Sequence, residues 1–251
     1  MAFTITLRTA AATLGLALAC ALPAQAAGVS GQGTWESTLL GRDINRNAVA
    51  ATDANAVYLY DTALKVTWLR DANVNGEINW WNATNWAANL STGSGSKAIS
   101  DWRLPAMTDT GAPGCDFSYG GTDCGFNPDT SSNEMASLFF ITLGNKSIYN
   151  TSGAEQAGWG LTNTGGFQNM QSFDYWTSTE FPLFPSSAWA FDMHSGGSGA
   201  LGKNTGLFYA LAVRPGDVLV SAVPEPETYA MLLAGLGVVG AVARRRKAKQ
   251  A

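Results

Sequence analysis

The chain has 251 residues, 15 basic and 19 acidic, with one histidine and a formal net charge of −4. Positive charge gathers at the two ends, so residues 27–223 hold nine basic and seventeen acidic side chains, a net −8, which argues against nucleic acid and other polyanions as direct partners. An apolar content of 46% and nine tryptophans exclude a disordered chain, and the roughly 200 residues between the ends suffice for one domain with a core.

In chain order, Arg8 precedes an apolar stretch from Ala10 to Leu22 and the small-residue site Ala24-Gln25-Ala26. A positive start, a short apolar core and an A-x-A end specify a secretory signal peptide over residues 1–26, cleaved after Ala26 by the secretion machinery. Residues 27–55, rich in Gly, Ala, Asn and Thr, read as an irregular lead-in with room for one strand. A domain is expected over residues 56–216, opening with short strands at 57–60 and 64–69 around a turn at Asp61-Thr62.

The next segment, Asp71-Ala72-Asn73-Val74-Asn75-Gly76-Glu77-Ile78, matches the first eight positions of a calcium loop. Oxygen side chains stand at Asp71, Asn73 and Asn75, glycine at Gly76, and the Glu77 carbonyl would be a further ligand. The twelfth position is Asn82 rather than a bidentate glutamate, and an Asn/Gly-rich turn leading into a helix is the simpler alternative. That helix is expected over 80–90, capped by Asn79, because Ala83, Trp86, Ala87 and Leu90 repeat at i, i+3, i+4 and i+7. Trp81 lies about 160° around the helix from this stripe, so it should point outward, and it is the candidate ligand-facing aromatic.

Cys20 falls in the leader, which leaves Cys115 and Cys124 in a Gly-rich loop of an exported chain. They read as a local disulfide, since a zinc site would need more ligands than one histidine can add. A second helix is expected over 133–143, with Ser131 and Glu134 as a capping box. Strands follow at 174–179, 187–193 and 206–213, then a linker at 217–223. The order predicts an α+β fold with two helices on a short-stranded antiparallel sheet. At the end, Pro224-Glu225-Pro226 precedes an apolar run at 229–243 and the cluster Arg244-Arg245-Arg246-Lys247. Fifteen residues are short for a span that needs about 20, but snorkelling arginines make up the difference, so the run reads as a transmembrane helix with a cytoplasmic end.

The tail from Val223 through Gly237 and its Arg run, residues 224–248, resemble the PEP-CTERM sorting domain. The resemblance implies recognition by an exosortase in a double-membraned bacterium that makes exopolysaccharide, and transient anchoring before delivery to the surface or the biofilm matrix. Between residues 64 and 215, the pieces Val66-Thr67-Trp68-Leu69, Asn79-Trp80, Asp101-Trp102-Arg103-Leu104-Pro105, Tyr175-Trp176-Thr177-Ser178-Thr179-Glu180, Ala188-Trp189 and Val213-Arg214-Pro215 resemble the Lcl C-terminal domain family. That likeness implies a C-type-lectin-like fold and an adhesion or binding role without catalytic residues.

Catalytic readings find little footing. His194 is the only histidine, no G-x-S-x-G is present, and seventeen acids offer many carboxylate pairs with none ranked. Trp68, Trp80, Trp86, Trp102 and Trp176 read as core, and Arg103 and Arg214 as internal ion-pair partners. The expectation is a non-catalytic surface module that binds glycan or another surface protein, with calcium as a candidate ion. A carbohydrate-acting enzyme and a purely structural matrix protein are the alternatives.

Overall fold

The computed structural model describes residues 33–110, 118–120 and 122–219. The signal peptide, Cys115, the sorting tail and the transmembrane run at 229–243 lie outside the described residues. Among the described residues, nine strands form two antiparallel sheets. They are β1 (Leu39–Asp43), β2 (Ala48–Val49), β3 (Ala56–Asp61), β4 (Val66–Leu69), β5 (Gly125–Phe126), β6 (Asp174–Glu180), β7 (Ser187–Asp192), β8 (Gly197–Gly202) and β9 (Val213–Pro215). The first sheet runs β2-β1-β3-β4-β9 and the second β5-β8-β7-β6. The helices are α1 (Trp35–Thr38), α2 (Trp80–Asn89) and α3 (Glu134–Ala136), the last continuing as a π-helix over Ser137–Thr142. Among the described residues no helix is long and apolar enough to cross a membrane.

The mixed helix and antiparallel-sheet architecture matches the expected class, but with two sheets in place of one. The expected irregular lead-in at 27–55 also differs. Its residues 35–49 supply α1, β1 and β2, and β1 pairs with β3 along its whole length. Alternation explains this, since Leu39 and Gly41 face inward from a run that composition alone made look like loop.

The main core lies between the sheets. Leu59 and Trp68, directly paired across β3 and β4, pack with Tyr175 and Phe191 of the second sheet and with Met135, Leu138, Phe139 and Leu143 of the α3 region. The opposite face of the first sheet, through Tyr58 and Leu69, is covered by Trp102 and Val218. Helix α2 covers part of the outer face of the second sheet, where Trp80, Ala83 and Ala87 meet Trp176, Ala188 and Ala190. Four of the five core tryptophans are at most 4% exposed, and Trp86 is partly buried. At about 25 cal/mol per Å2 of apolar surface removed from water, rings of this size dominate the stabilisation.

Local signals set the helix starts. The Asn79 side chain accepts from the Asn82 amide at 2.9 Å, as expected for the cap of α2. At α3 the expected Ser131–Glu134 capping box is not formed. Asn133 is the cap, accepting from the amides of Met135 and Ala136 at 3.0 and 3.1 Å. Ser131 donates instead to the Asp129 carboxylate, and Glu134, now the first helical residue, binds Arg103 at 2.7 Å through both oxygens and the Ala106 amide. The expected strand at 206–213 is likewise displaced. Those residues make isolated bridges at Phe208 and Tyr209, and the strand begins only at Val213. The strand that completes the second sheet is β8, a Gly/Ser/Ala run held by six register pairs with β7.

Candidate functional site

Strand register builds a slot on the outer face of the second sheet. One cross-strand row runs Phe126, Gly197, Asp192, Asp174 through β5, β8, β7 and β6. Side chains two residues along a strand share a face, so the next row on this face is Gly199, Ala190, Trp176, followed by Leu201 and Ala188. Two glycines, Gly197 and Gly199, thus leave a trough between the Phe126 ring, the two carboxylates and Leu201. The resulting cavity holds about 200 Å3. A Cβ on Gly199 would meet nothing within 4 Å, whereas one on Gly197 would lie 3.3 Å from the Gly125 carbonyl oxygen. The missing side chains are what opens the slot.

The walls are held from behind. Phe126 stacks on Tyr119 at 6.0 Å between centroids and meets the edge of Tyr149 at 5.0 Å. Asp192 is fixed by the hairpin that follows it: its Oδ1 accepts from the His194 amide at 2.8 Å and its Oδ2 from Ser195 Oγ at 2.5 Å. The turn closes through Gly196 at φ +68, where an added Cβ would come 2.8 Å from the Ser147 Cα. Asp174 stands directly opposite Asp192. Burial, and secondarily the Asp192 charge, push the Asp174 carboxyl up to about 7. At neutral pH the pair can therefore offer one O–H donor and several acceptors beside an aromatic wall. That is the donor and acceptor mix that binds hydroxyl groups on a ring with apolar C–H faces.

The residues singled out from sequence lie elsewhere. Trp81 is 47% exposed, as helical phase predicted, and its ring abuts Trp80 at 4.8 Å. The Lys203 ammonium, itself on a 2% exposed side chain, sits 4.7 Å from the Trp80 ring and 5.1 Å from that of Trp81. Trp81 does not line the slot. In the Asp71 loop, Asp71 Oδ1 accepts from the Asn73 amide at 3.0 Å, Gly76 has φ +66, and Glu77 accepts from the Tyr209 hydroxyl at 3.3 Å. Asn73 Oδ1 and Asn75 Nδ2 are buried there with no protein partner. Among the described residues no three His, Cys, Asp or Glu side chains are grouped to hold a metal.

Cys124 is disulfide-bonded and buried with Met107, Phe181 and Trp189. Cys115, like Ala26, Pro224, Glu225 and Pro226, lies outside the described residues. Arg103 and Arg214 pair with Glu134 and Asp101 as expected. His194 and Ser195 do not join in a relay: the imidazole Nδ1 lies 3.1 Å from Ser172 Oγ, while Ser195 binds Asp192. The slot itself was missed, because nothing local marks Asp174 and Asp192 apart from fifteen other acids. The Gly197/Gly199 spacing was the one available signal.

The tail decides where this domain is delivered. Residues 222–247 match the PEP-CTERM protein-sorting motif. The motif contains Pro224, Glu225 and Pro226, and it marks a protein that an exosortase processes from a membrane-anchored precursor and exports to the cell surface. No curated protein matches the chain.

Proposed function

We propose that this protein is a non-catalytic glycan-binding module, displayed on the cell surface or in the extracellular matrix after exosortase sorting, with the slot on the second sheet as its binding site. The observation that carries this reading is the row Phe126, Gly197, Asp192, Asp174: an aromatic wall, a glycine floor and two facing acids, of which Asp174 is raised to about 7. A volume of about 200 Å3 suits one sugar ring rather than an extended ligand. The sequence likeness to the Lcl C-terminal family supports the same role, with a C-type-lectin-like fold and Trp81 as an accessory contact. The signal peptide, the anchor at 229–243 and a Cys115–Cys124 bond belong to this reading of an exported chain. Exopolysaccharide is the proposed partner. Calcium is proposed as a weak ligand of the Asp71 loop, because the unpartnered Asn73 Oδ1 would be satisfied by a cation. The loop's three side-chain oxygens and one carbonyl fall short of the six to eight that calcium prefers.

One observation favours a second reading. A carboxyl near 7 beside another carboxylate is also how general acids are made, so a carbohydrate-acting enzyme is the alternative. A glycan array run on the intact chain, with hydrolysis of each hit followed in parallel, separates the readings. Saturable binding without turnover is expected. Turnover that Asp174→Asn abolishes would establish the enzyme, and neither binding nor turnover would leave a structural matrix protein.

A further inference from the structure

A second cavity, of about 220 Å3, opens beside residues 217–219, and the surface it exposes is mostly polar. Arg46, Ser100, Asp101, Arg214 and Asp217 surround it. The carboxylates there are already spent. Asp101 takes Arg214 through two bonds of 3.0 Å, and Asp217 takes Arg42 through bonds of 3.0 and 2.7 Å. Arg46 is left over. It has no carboxylate partner among the described residues, its Nε is buried without any hydrogen-bond acceptor, and its backbone is held at φ +69. Buried beside it, Tyr58 Oη and Thr92 Oγ1 face each other, and Tyr58 packs with Ile99 and Val218, which line the cavity. Buried polar atoms are nearly always satisfied, so the orphaned Nε of an unpaired guanidinium at the cavity wall marks a place for a bound group.

We infer that this cavity binds the carboxylate of a single acidic sugar residue, with Arg46 as its anchor. A guanidinium fork fits a planar carboxylate through two parallel bonds. Of the two arginines that line the cavity, Arg214 is neutralised by Asp101, so Arg46 is the one cation of the lining without a carboxylate, which matches a monoanion better than a phosphate dianion. The polar lining supplies acceptors for ring hydroxyls at Ser100, Asp101 and Asp217, which a slim acidic peptide side chain would leave unused. The net −8 of residues 27–223 still repels a polyanion, so one carboxylated unit on an otherwise neutral chain is the ligand class. This site is separate from the slot and does not depend on it.

Calorimetry of the intact chain with a neutral oligosaccharide carrying one terminal glucuronate tests the inference. The same sugar with the carboxyl reduced, its sulfated counterpart and a glutamate peptide serve as comparison arms. Binding is expected to fall at least tenfold on carboxyl reduction and in Arg46→Gln. Ser100→Glu, at an exposed rim position, should do the same with folding intact, while Gly199→Leu in the slot should leave it unchanged. Equal affinity for wild type and Ser100→Glu, or no binding at 10 mM, would overturn it. Tighter binding of the sulfated sugar or of the peptide would reassign the site and so reject the acidic-sugar inference.

Discussion

Asp174 carries the clearest pH signature of any described residue. Its carboxyl ordinarily titrates at 3.8 and is raised to about 7 in the fold. The native state therefore keeps a proton that the unfolded chain has already released, and stability falls as pH rises from about 4 to 7. Above 7 the cost is complete. Asp174→Asn should remove it: the variant is expected to match wild type below pH 4 and to exceed it at pH 8 by about 1–3 kcal/mol, the shift being discounted for partial exposure. Denaturant unfolding across this range, with Asp192 and His194 intact, checks the slope. A variant that is less stable than wild type at pH 8 would contradict the buried, protonated Asp174. None of this was visible in the sequence, because the shift arises first from burial in the fold and then from Asp192, eighteen residues away and opposite only through the β6–β7 register.

At the scale of elements, legibility followed how much of each signal was local. Helix α2 was readable to within a residue, since its cap, its stripe and the outward Trp81 all follow from spacing along one segment. Asn79→Ala should cost about 1 kcal/mol in equilibrium unfolding, and no change would mean that the cap bond is idle. Strand β8 was not readable. Gly-Ser-Gly-Ala-Leu-Gly has neither β-branched nor aromatic residues, so its extended form is imposed by pairing with β7, a tertiary effect that overrides propensity. The same glycines that hid the strand make the slot. The α3 cap was misplaced by two residues because Ser131 and Glu134 mimic a capping box that Asn133 and Arg103 break up. For the Asp71 loop, a calcium affinity on the order of 10⁻⁴–10⁻³ M is expected from a single charged side chain among its ligands. Millimolar calcium should raise the melting temperature, magnesium less so, and Asp71→Ala should abolish the rise. A flat response up to about 10 mM would leave the loop as an Asx turn.

The whole molecule combines a delivery signal with the slot and the Arg46 cavity, both among the described residues. The sorting motif at 222–247 was the most legible feature, because recognition by a processing enzyme depends on a contiguous string rather than on a fold. Protein recovered from the outer surface should lack residues 1–26 and the Arg244–Lys247 cluster by intact mass. A full-length tail in that fraction would reject processing. Gly199→Leu addresses the slot most directly. The position has room for a side chain and no positive φ, so the substitution should fill the trough without strain. Replacing glycine within a strand should leave the melting temperature at or above that of wild type, since interior glycine costs roughly 0.5–1 kcal/mol. The measurement is the affinity of wild type and Gly199→Leu for the best neutral glycan from the array. A loss of at least tenfold at unchanged stability is the expected result; equal affinity in the two proteins would show that the glycan binds somewhere other than the slot.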